Sequence, residues 1–377
     1  MSNQTAIPFI QMRGGSSKGI YFHRTDLPNN SDQRNAVLKW VMGAHGDARQ
    51  IDGLGGASPL TSKIAIVSPS KRDDSDIDYK FIQAIVGEDR VDDTPNCGNI
   101  LSGVGAFSIE TGLIKPTGNE ASIRVYMTNS GTRCLLKFPI ENGQPIYDGD
   151  TRIDSVIGSS AAIMCLYQDL EGSTCGSLCP TGNQFDEFNN ILVTCIDNGM
   201  PVVCLQAKDF GLFGSETPDK LNNNKDLRVQ LESIRLKAGL AMGLGDVSGK
   251  AVPKMCLVSK PRHGGTINTH TFIPKQCHKA IGVLGAVSVG TAALLQDSVI
   301  RGIADFSDNQ KTDKNLEQMI IEHPSGSLTI ELEMVQKGGQ PMVRKAGLLR
   351  TTRMLCRGEV YIPKSVWNKE TGSIPPK

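Results

Sequence analysis

Residues 96–107 read NCGNILSGVGAF, a run that begins beside a thiol and carries no charge before Glu110. Its small and apolar residues predict a helix over 98–112 that is apolar on every side, and such a helix must be buried. Cys97 then lies at the helix N-terminus, where unpaired backbone N–H groups and the helix dipole favour an anion, including a thiolate. The alternative interpretation is a small buried cysteine in a core helix.

Four blocks of sequence recur in the same order along the chain, which indicates an internal repeat. The pairs are 53–58 with 243–248, 63–68 with 254–259, Cys97 and Gly105 with Cys277 and Gly285, and 129–131 with 324–326. The repeat predicts two homologous halves, 1–188 and 189–377. Pockets favour domain interfaces, so we expect the active site in the cleft between the halves.

The composition is that of an ordinary globular protein, and 377 residues with 39% hydrophobic content suffice for two cores. Lys plus Arg number 40 and Asp plus Glu 39, so the net charge of +1 favours neither nucleic acid nor an anionic membrane as a partner. No apolar run approaches the roughly 20 residues of a membrane span. Residues 1–13 lack the basic region and apolar core of a secretion signal, so the expected location is cytoplasmic and the cysteines are expected to be reduced.

A Gly/Ser-rich segment, RGGSSKG at 13–19, separates two short apolar strands. Such a turn lets the backbone N–H groups of Gly15, Ser16 and Ser17 approach a ligand closely. The Arg13 guanidinium is able to form two parallel hydrogen bonds with a carboxylate. The alternative is a hairpin loop with solvated ends.

Lys63 lies at the entrance of a strand predicted over 62–68. A period of two places Lys63, Ala65 and Val67 on one face of that strand. Lysines at strand ends are usually solvated. A lysine removed from water instead gives up its proton more readily, so that its neutral amine becomes available as a base.

Periodicity predicts further elements on both sides of these motifs. Helices are expected at 32–42 and 227–238, with Gly239 placed to end the second one. A second buried helix is expected at 280–295, and a strand at 78–86 precedes the Cys97 segment.

The most specific motifs are MRGGSSKG at 12–19, LTSK at 60–63, NCGNIL at 96–101, CIDNGMP at 195–201 and EHPSG at 322–326. With these motifs nearly the whole chain resembles the PrpF-type family of isomerases. The resemblance implies an α+β, diaminopimelate-epimerase-like fold, in which each of two pseudo-symmetric domains has a β-barrel-like sheet around a central buried helix. Family members move a double bond in 2-methylaconitate, 3-methylitaconate, aconitate or 4-oxalomesaconate. Segments 47–52 and 253–257 are most similar to the 4-oxalomesaconate tautomerases of gallate-type aromatic catabolism.

The resemblance also implies that Lys63 and Cys97 are the catalytic residues. Moving a double bond requires a base near the C–H that loses its proton and fixed donors for the negative charge that develops. The candidate substrate-binding residues are Arg13, Gly15, Ser16, Ser17, Asn96, Gly98 and Asn99, with Ser325 and Gly326 from the other half. Whether Lys63 or Cys97 is the base stays open.

The expected partner is a small polycarboxylate, without nucleic acid or a membrane, and a homo-oligomer is compatible with the sequence. The reaction needs no metal and no organic cofactor. Cys175 and Cys179 form the one close cysteine pair, and no second pair or nearby histidine completes a zinc site.

Three other functions remain as alternatives. An amino-acid racemase or epimerase of the same fold needs a second cysteine, and Cys277 has the repeat-related position. However, His278 and Lys279 follow it instead of small residues. A non-catalytic scaffold is disfavoured because the chain has no heptads, basic stripe or interaction tail. The same chemistry on a different tricarboxylate is the third.

Overall fold

The computed structural model describes residues 3–93, 96–307, 316–369 and 371. The chain forms two compact units, one of Met1–Cys165 with Arg350–Lys377 and one of Leu166–Leu349. These units differ from the predicted halves because the last long strand pairs with the first one, with Pro363 opposite Gln4. The origin of the halves by duplication stays a prediction.

The elements of the first unit alternate strands with short helical segments. They are β1 (Gln4–Gly14), β2 (Ser17–His23), α1 (Ser31–Met42), β3 (Lys63–Pro69), β4 (Ile77–Ala84), β5 (Val91–Asp92), α2 (Gly98–Leu101), α3 (Val104–Glu110), β6 (Glu120–Met127), β7 (Thr132–Glu141) and β8 (Gln144–Pro145). The next strand, β9 (Ala162–Gln168), begins in this unit and ends in the second.

The second unit has the same kinds of element. They are β10 (Asp186–Phe188), β11 (Ile191–Asp197), β12 (Pro201–Gln206), α4 (Pro218–Asn223), α5 (Lys225–Ala241), β13 (Lys254–Ser259), β14 (Ile267–Phe272), α6 (Val283–Leu294), β15 (Leu316–His323) and β16 (Gly326–Lys337). The chain then returns through β17 (Gln340–Pro363) to the first unit.

The sheet of the first unit mixes antiparallel hairpins with parallel crossovers. β1 pairs antiparallel with β2, β3 with β4, and β6 with β7. β2 runs parallel to β3, and β4 runs parallel to β6. Parallel neighbours need a long connection, and the two connections carry α1 and the α2–α3 segment respectively. This topology places the Cys97 segment against the strands that carry Lys63.

The second unit repeats that order of connections. β11 pairs antiparallel with β12, β12 runs parallel to β13, and β13 pairs antiparallel with β14. β14 then runs parallel to β15, and α6 lies in the connection between them. All residues of α6 from Gly285 to Ala293 are buried. The α+β class with a central buried helix in each unit is therefore confirmed.

The buried helix predicted over 98–112 is interrupted and forms two pieces, α2 and α3. Residues 100–109 are buried as predicted, with Ile100, Leu101 and Phe107 at most 1% exposed, whereas Thr111 and Gly112 at the predicted end are exposed. The break follows from Tyr21, whose hydroxyl donates to Ile100 O at 2.5 Å. A Cβ on Gly103 would lie only 2.4 Å from that hydroxyl oxygen, so only glycine allows the close approach.

The prediction for α1 is confirmed, and the predicted end of α5 is wrong. Asn30 caps α1 by accepting from Asp32 N and Gln33 N. In α5, Gly239 lies inside the helix, which continues to Ala241. A Cβ at Gly239 would lie 2.5 Å from the Val247 side chain, so this glycine serves packing and not helix termination. Among the described residues, no helix has both the length and the apolar character needed to cross a bilayer.

Candidate active site

Cys97 lies directly before α2, as predicted, and is half-buried. Its N–H donates to Asn96 Oδ1 at 2.9 Å, and its carbonyl accepts from Tyr79 Oη at 3.1 Å and from Leu101 N at 3.2 Å. These bonds fix the main chain on both sides of the thiol. Because α2 is a single turn, the advantage expected from a long helix dipole reduces to the N–H groups of Gly98 and Asn99.

The Asn96 side chain joins the cysteine segment to the hairpin between β6 and β7. Its Nδ2 donates to Ser130 Oγ at 3.1 Å while its Oδ1 accepts from Cys97 N. The preceding residue of that hairpin, Asn129, accepts a hydrogen bond from Phe81 N through its Oδ1 at 2.8 Å. Asn96 therefore holds the thiol segment in place, and a direct contact of Asn96 with substrate stays a prediction.

The Gly/Ser segment forms a tighter turn than predicted. Gly14 pairs with Ser17, so only Gly15 and Ser16 lie outside the ladder. Gly15 has φ +52°, a left-handed conformation that glycine adopts without steric cost. Asn99 Nδ2 donates to Ser16 Oγ at 3.1 Å and to Ser17 Oγ at 3.3 Å. The structure thus brings four predicted substrate-binding residues together beside the start of α2.

Arg13 stabilises this turn through hydrogen bonds of its guanidinium. Its Nη1 donates to Gly15 O at 3.0 Å and to the carbonyl and hydroxyl oxygens of Thr351 at 3.1 and 2.9 Å. Its Nη2 donates to Ser160 Oγ at 3.0 Å. Burial, and then the charge of Arg353, lower the pKa of Arg13. Arg13 is therefore an anchor of the Gly15 turn, and its predicted contact with a substrate carboxylate remains untested.

Lys63 is buried, with 9% of its surface exposed, so it is not the solvated lysine of the alternative interpretation. Its Nζ donates to Gln83 Oε1 at 2.8 Å and lies 5.1 Å from the centroid of the Phe81 ring. A Cβ on the neighbouring Gly19 would lie 3.0 Å from Lys63 O and 2.9 Å from Ile100 Cδ1. Glycine at this position therefore lets β3 and α2 approach each other.

Three side chains of β4 connect Lys63 with Cys97. Tyr79, Phe81 and Gln83 alternate along the strand, so they point to the same side of the sheet. Tyr79 binds the carbonyl of Cys97, while Phe81 and Gln83 contact the amine of Lys63. Tyr79 and Phe81 are two residues apart and therefore separated by about 6.6 Å along the strand. The Cys97 carbonyl and the Lys63 amine are thus contacted by neighbouring side chains of one face. Tyr79, Phe81 and Gln83 were not among the predicted site residues, although the alternation in 78–86 places them on a common face.

The two remaining candidates lie in the second unit. Ser325 occupies a two-residue turn, since His323 pairs with Gly326. The Ser325 hydroxyl donates to Lys279 O at 2.7 Å, and Gly326 has φ +144°. Their contribution to substrate binding stays a prediction.

Cys277, the repeat counterpart of Cys97, has a different environment. It lies six residues before the first residue of α6 and packs in a buried core with residues of α5. Its N–H donates to Asn222 Oδ1 at 2.7 Å, and burial raises the pKa of its thiol to about 12. A thiol with this pKa is protonated near neutral pH and is not available as a base, so the second unit gives no support to a two-cysteine racemase.

Lys254, which the predicted repeat aligns with Lys63, is partly buried. Burial, and then the positive charge of Arg235, lower the pKa of Lys254 from 10.5 to about 8. The unfolded chain therefore binds more protons than the native state between pH 8 and 10.5. The free energy of unfolding consequently rises with pH across that window, and the penalty is fully present below it.

We expect Lys254→Met to raise the melting temperature at pH 7 and to flatten this pH dependence, because it removes a charge that is desolvated near Arg235. Thermal unfolding followed by circular dichroism at pH 7, 8, 9 and 10 measures both effects. Lys237→Met, at an exposed position of α5, is the control that leaves the profile unchanged. A lower melting temperature for Lys254→Met at pH 7 would contradict the expectation.

Comparison with known proteins gives concordant matches along the whole chain. A family model described as "PrpF protein" matches residues 4–363. The chain is 49% identical to a 4-oxalomesaconate tautomerase of Pseudomonas putida, over 97% of this chain and 98% of the relative. It is 45% identical to a (4E)-oxalomesaconate Delta-isomerase of Novosphingobium sp., over 96% and 98%. It is 34% identical to a 3-methylitaconate isomerase of Eubacterium barkeri, over 97% and 99%.

A solved structure supports the same fold. The chain superposes on a crystal structure of methylitaconate-delta-isomerase with a TM-score of 0.86 and 32% identity, and the match covers 100% of both chains. The fold class expected from the resemblance is therefore confirmed.

Proposed function

The chain belongs to the PrpF family, and from this premise we propose that it is a 4-oxalomesaconate isomerase that moves a carbon–carbon double bond by a 1,3-proton shift. The carrying observation is the common face of β4, whose side chains contact both the buried amine of Lys63 and the main chain of Cys97. The alternative substrates are 2-methylaconitate, aconitate and 3-methylitaconate. The 49% and 45% identities to proteins named for oxalomesaconate, against 34% for 3-methylitaconate isomerase, favour the first.

In the proposed reaction, the neutral amine of Lys63 removes a proton from the substrate carbon adjacent to the carbon–carbon double bond. The electron pair spreads through the conjugated system onto a carboxylate, and the Cys97 thiol returns a proton to the carbon two positions away. One proton leaves and one arrives, so the substrate is neither oxidised nor reduced. The turnover leaves Lys63 as an ammonium and Cys97 as a thiolate, and proton exchange with solvent restores the amine and the thiol before the next turnover. Lys63 suits the first role because its Nζ is bonded to a neutral amide, which stabilises the ammonium less than a carboxylate does.

The developing negative charge needs fixed donors. The N–H groups of Gly98 and Asn99 and the turn at Gly15 and Ser16 lie beside the thiol segment, and Asn99 binds that turn directly. Donors held by hydrogen bonds in the free protein need little rearrangement when the charge forms.

We place the reaction in the cytoplasm, in the breakdown of aromatic acids of the gallate type.

A panel of unsaturated acids tests the proposal. We expect kcat/KM for 4-oxalomesaconate, followed by ultraviolet absorbance, to exceed that for 2-methylaconitate, aconitate and 3-methylitaconate by at least roughly tenfold, because one misplaced substituent typically costs that much in a shaped site. Faster turnover of another acid would move the assignment to that acid. If none of the four reacts and proline or diaminopimelate exchanges its α-hydrogen with deuterium oxide, the protein is a racemase or epimerase instead.

A further inference from the structure

Gln83 is held in one orientation beside Lys63. Its Nε2 donates to Ser62 O at 2.8 Å, to Ala84 O at 3.1 Å and to Pro59 O at 3.2 Å. Three carbonyl oxygens around the amide nitrogen exclude the flipped amide, which would place oxygen against oxygen. Oε1 must therefore face Lys63, and it accepts from Nζ at 2.8 Å.

The strand register places one carboxylate in the same row as this pair. Gly19 of β2, Lys63, Gln83 and Asp92 of β5 form one row across four strands. Gly19 places no side chain in this row, and the carboxylate of the row is that of Asp92 at its far end. Gln83 separates Lys63 from Asp92, and it places a neutral oxygen where a carboxylate would pair with the ammonium.

We propose that Gln83 is a positioning residue that holds Lys63 Nζ over the Phe81 ring and limits how strongly its ammonium form is stabilised. The catalytic consequence rests on the proposed function, whereas the effect of Gln83 on the amine does not. An amide oxygen accepts a hydrogen bond from either protonation state of lysine, so the amine stays in place when its proton leaves. A carboxylate in the same place would favour the ammonium and oppose proton abstraction.

The experiment uses Gln83→Glu and Gln83→Met, with Ser62→Ala as the matched control. Ser62 Oγ donates to Gly56 O at 2.6 Å. Removing this hydroxyl loosens the loop at 56–62, whose carbonyls Gln83 also binds, and leaves the hydrogen bond between Gln83 and Lys63 Nζ intact. The first readout is competitive acetylation of Lys63 against pH in the free protein, followed by peptide mass spectrometry. The second readout is the pH profile of kcat and KM with 4-oxalomesaconate.

We expect Gln83→Glu to move the midpoint of Lys63 labelling, and the acidic limb of kcat/KM, upward by about one pH unit. Gln83→Met should move both downward and lower kcat by about tenfold, because the amine is no longer held, with a smaller change in KM. Ser62→Ala should leave the labelling midpoint where it is. If Gln83→Glu fails to fold, Gln83→Met and the control still decide.

Unchanged labelling midpoints in the folded Gln83 variants would overturn the inference. An equal shift of the midpoint in Ser62→Ala would also overturn it, because the shift would then come from a change in the loop and not from the loss of the Gln83 amide. The labelling readout is independent of substrate. If the midpoints shift as expected and the wild-type protein isomerises none of the four acids, the proposed function fails while the role of Gln83 toward Lys63 stands.

Discussion

Replacing Lys63 with methionine should lower kcat on 4-oxalomesaconate by about 10³-fold, because a positioned general base typically contributes 10²- to 10⁴-fold. Methionine keeps an unbranched apolar side chain of nearly the same length, and it lacks the amine that lies 5.1 Å from the centroid of the Phe81 ring. The side chain is 9% exposed, so a shorter residue would leave a cavity and mix a packing effect with the chemical one. Initial rates from ultraviolet absorbance measure the loss, and circular dichroism checks that the fold is retained.

Lys80→Met is the matched control for this substitution. Lys80 lies on β4 next to Phe81 but on the opposite face, where its Nζ is 2.7 Å from Asp93 Oδ2. Its removal costs a half-exposed ion pair, and kcat should stay within about twofold because such pairs contribute little. Added methylamine should partly restore turnover of Lys63→Met and leave Lys80→Met unaffected. Near wild-type kcat for Lys63→Met would show that another group removes the proton.

The position of Lys63 was predictable because strand alternation alone places Lys63, Ala65 and Val67 on one side of β3. In the structure, the pairing of β3 with β4 sets Gln83 opposite Lys63. This partner of Lys63 was not predicted. Register between β3 and β4 is a tertiary property, and nothing in a single sequence states which residue of 77–84 faces Lys63. The same reason hid Tyr79 and Phe81, which appeared only as apolar members of a predicted strand.

The cysteine segment shows a second limit of sequence reasoning. Its apolar run correctly predicted burial and the place of Cys97 before the helix. The break between α2 and α3 depends on the Tyr21 hydroxyl, which reaches Ile100 O from a strand nearly 80 residues earlier. Likewise, Cys277 matched Cys97 by spacing, but five residues lie between it and the start of α6. Spacing repeats therefore predicted the order of elements and not the chemistry at each position.

Replacing Cys97 with alanine should reduce isomerisation by about 10²-fold or more, because it removes the group that we propose returns the proton. Lys63 and its partners Gln83 and Phe81 remain in place in this variant, so proton abstraction should continue. In deuterium oxide, recovered 4-oxalomesaconate is therefore expected to gain deuterium faster than product forms. Mass spectrometry of the recovered substrate and the absorbance of the product measure the two rates separately.

Cys277→Ala is the control, because this thiol is buried in the core of the second unit and its pKa of about 12 keeps it protonated. It should retain turnover within about twofold per folded molecule, with a lower melting temperature from the lost packing. Equal losses of isomerisation and exchange in Cys97→Ala would assign proton abstraction to the thiol and exchange the two roles. A comparable loss in Cys277→Ala would instead require two thiols, as in a racemase, and would contradict a reaction centred on the β4 face that binds Lys63 and Cys97.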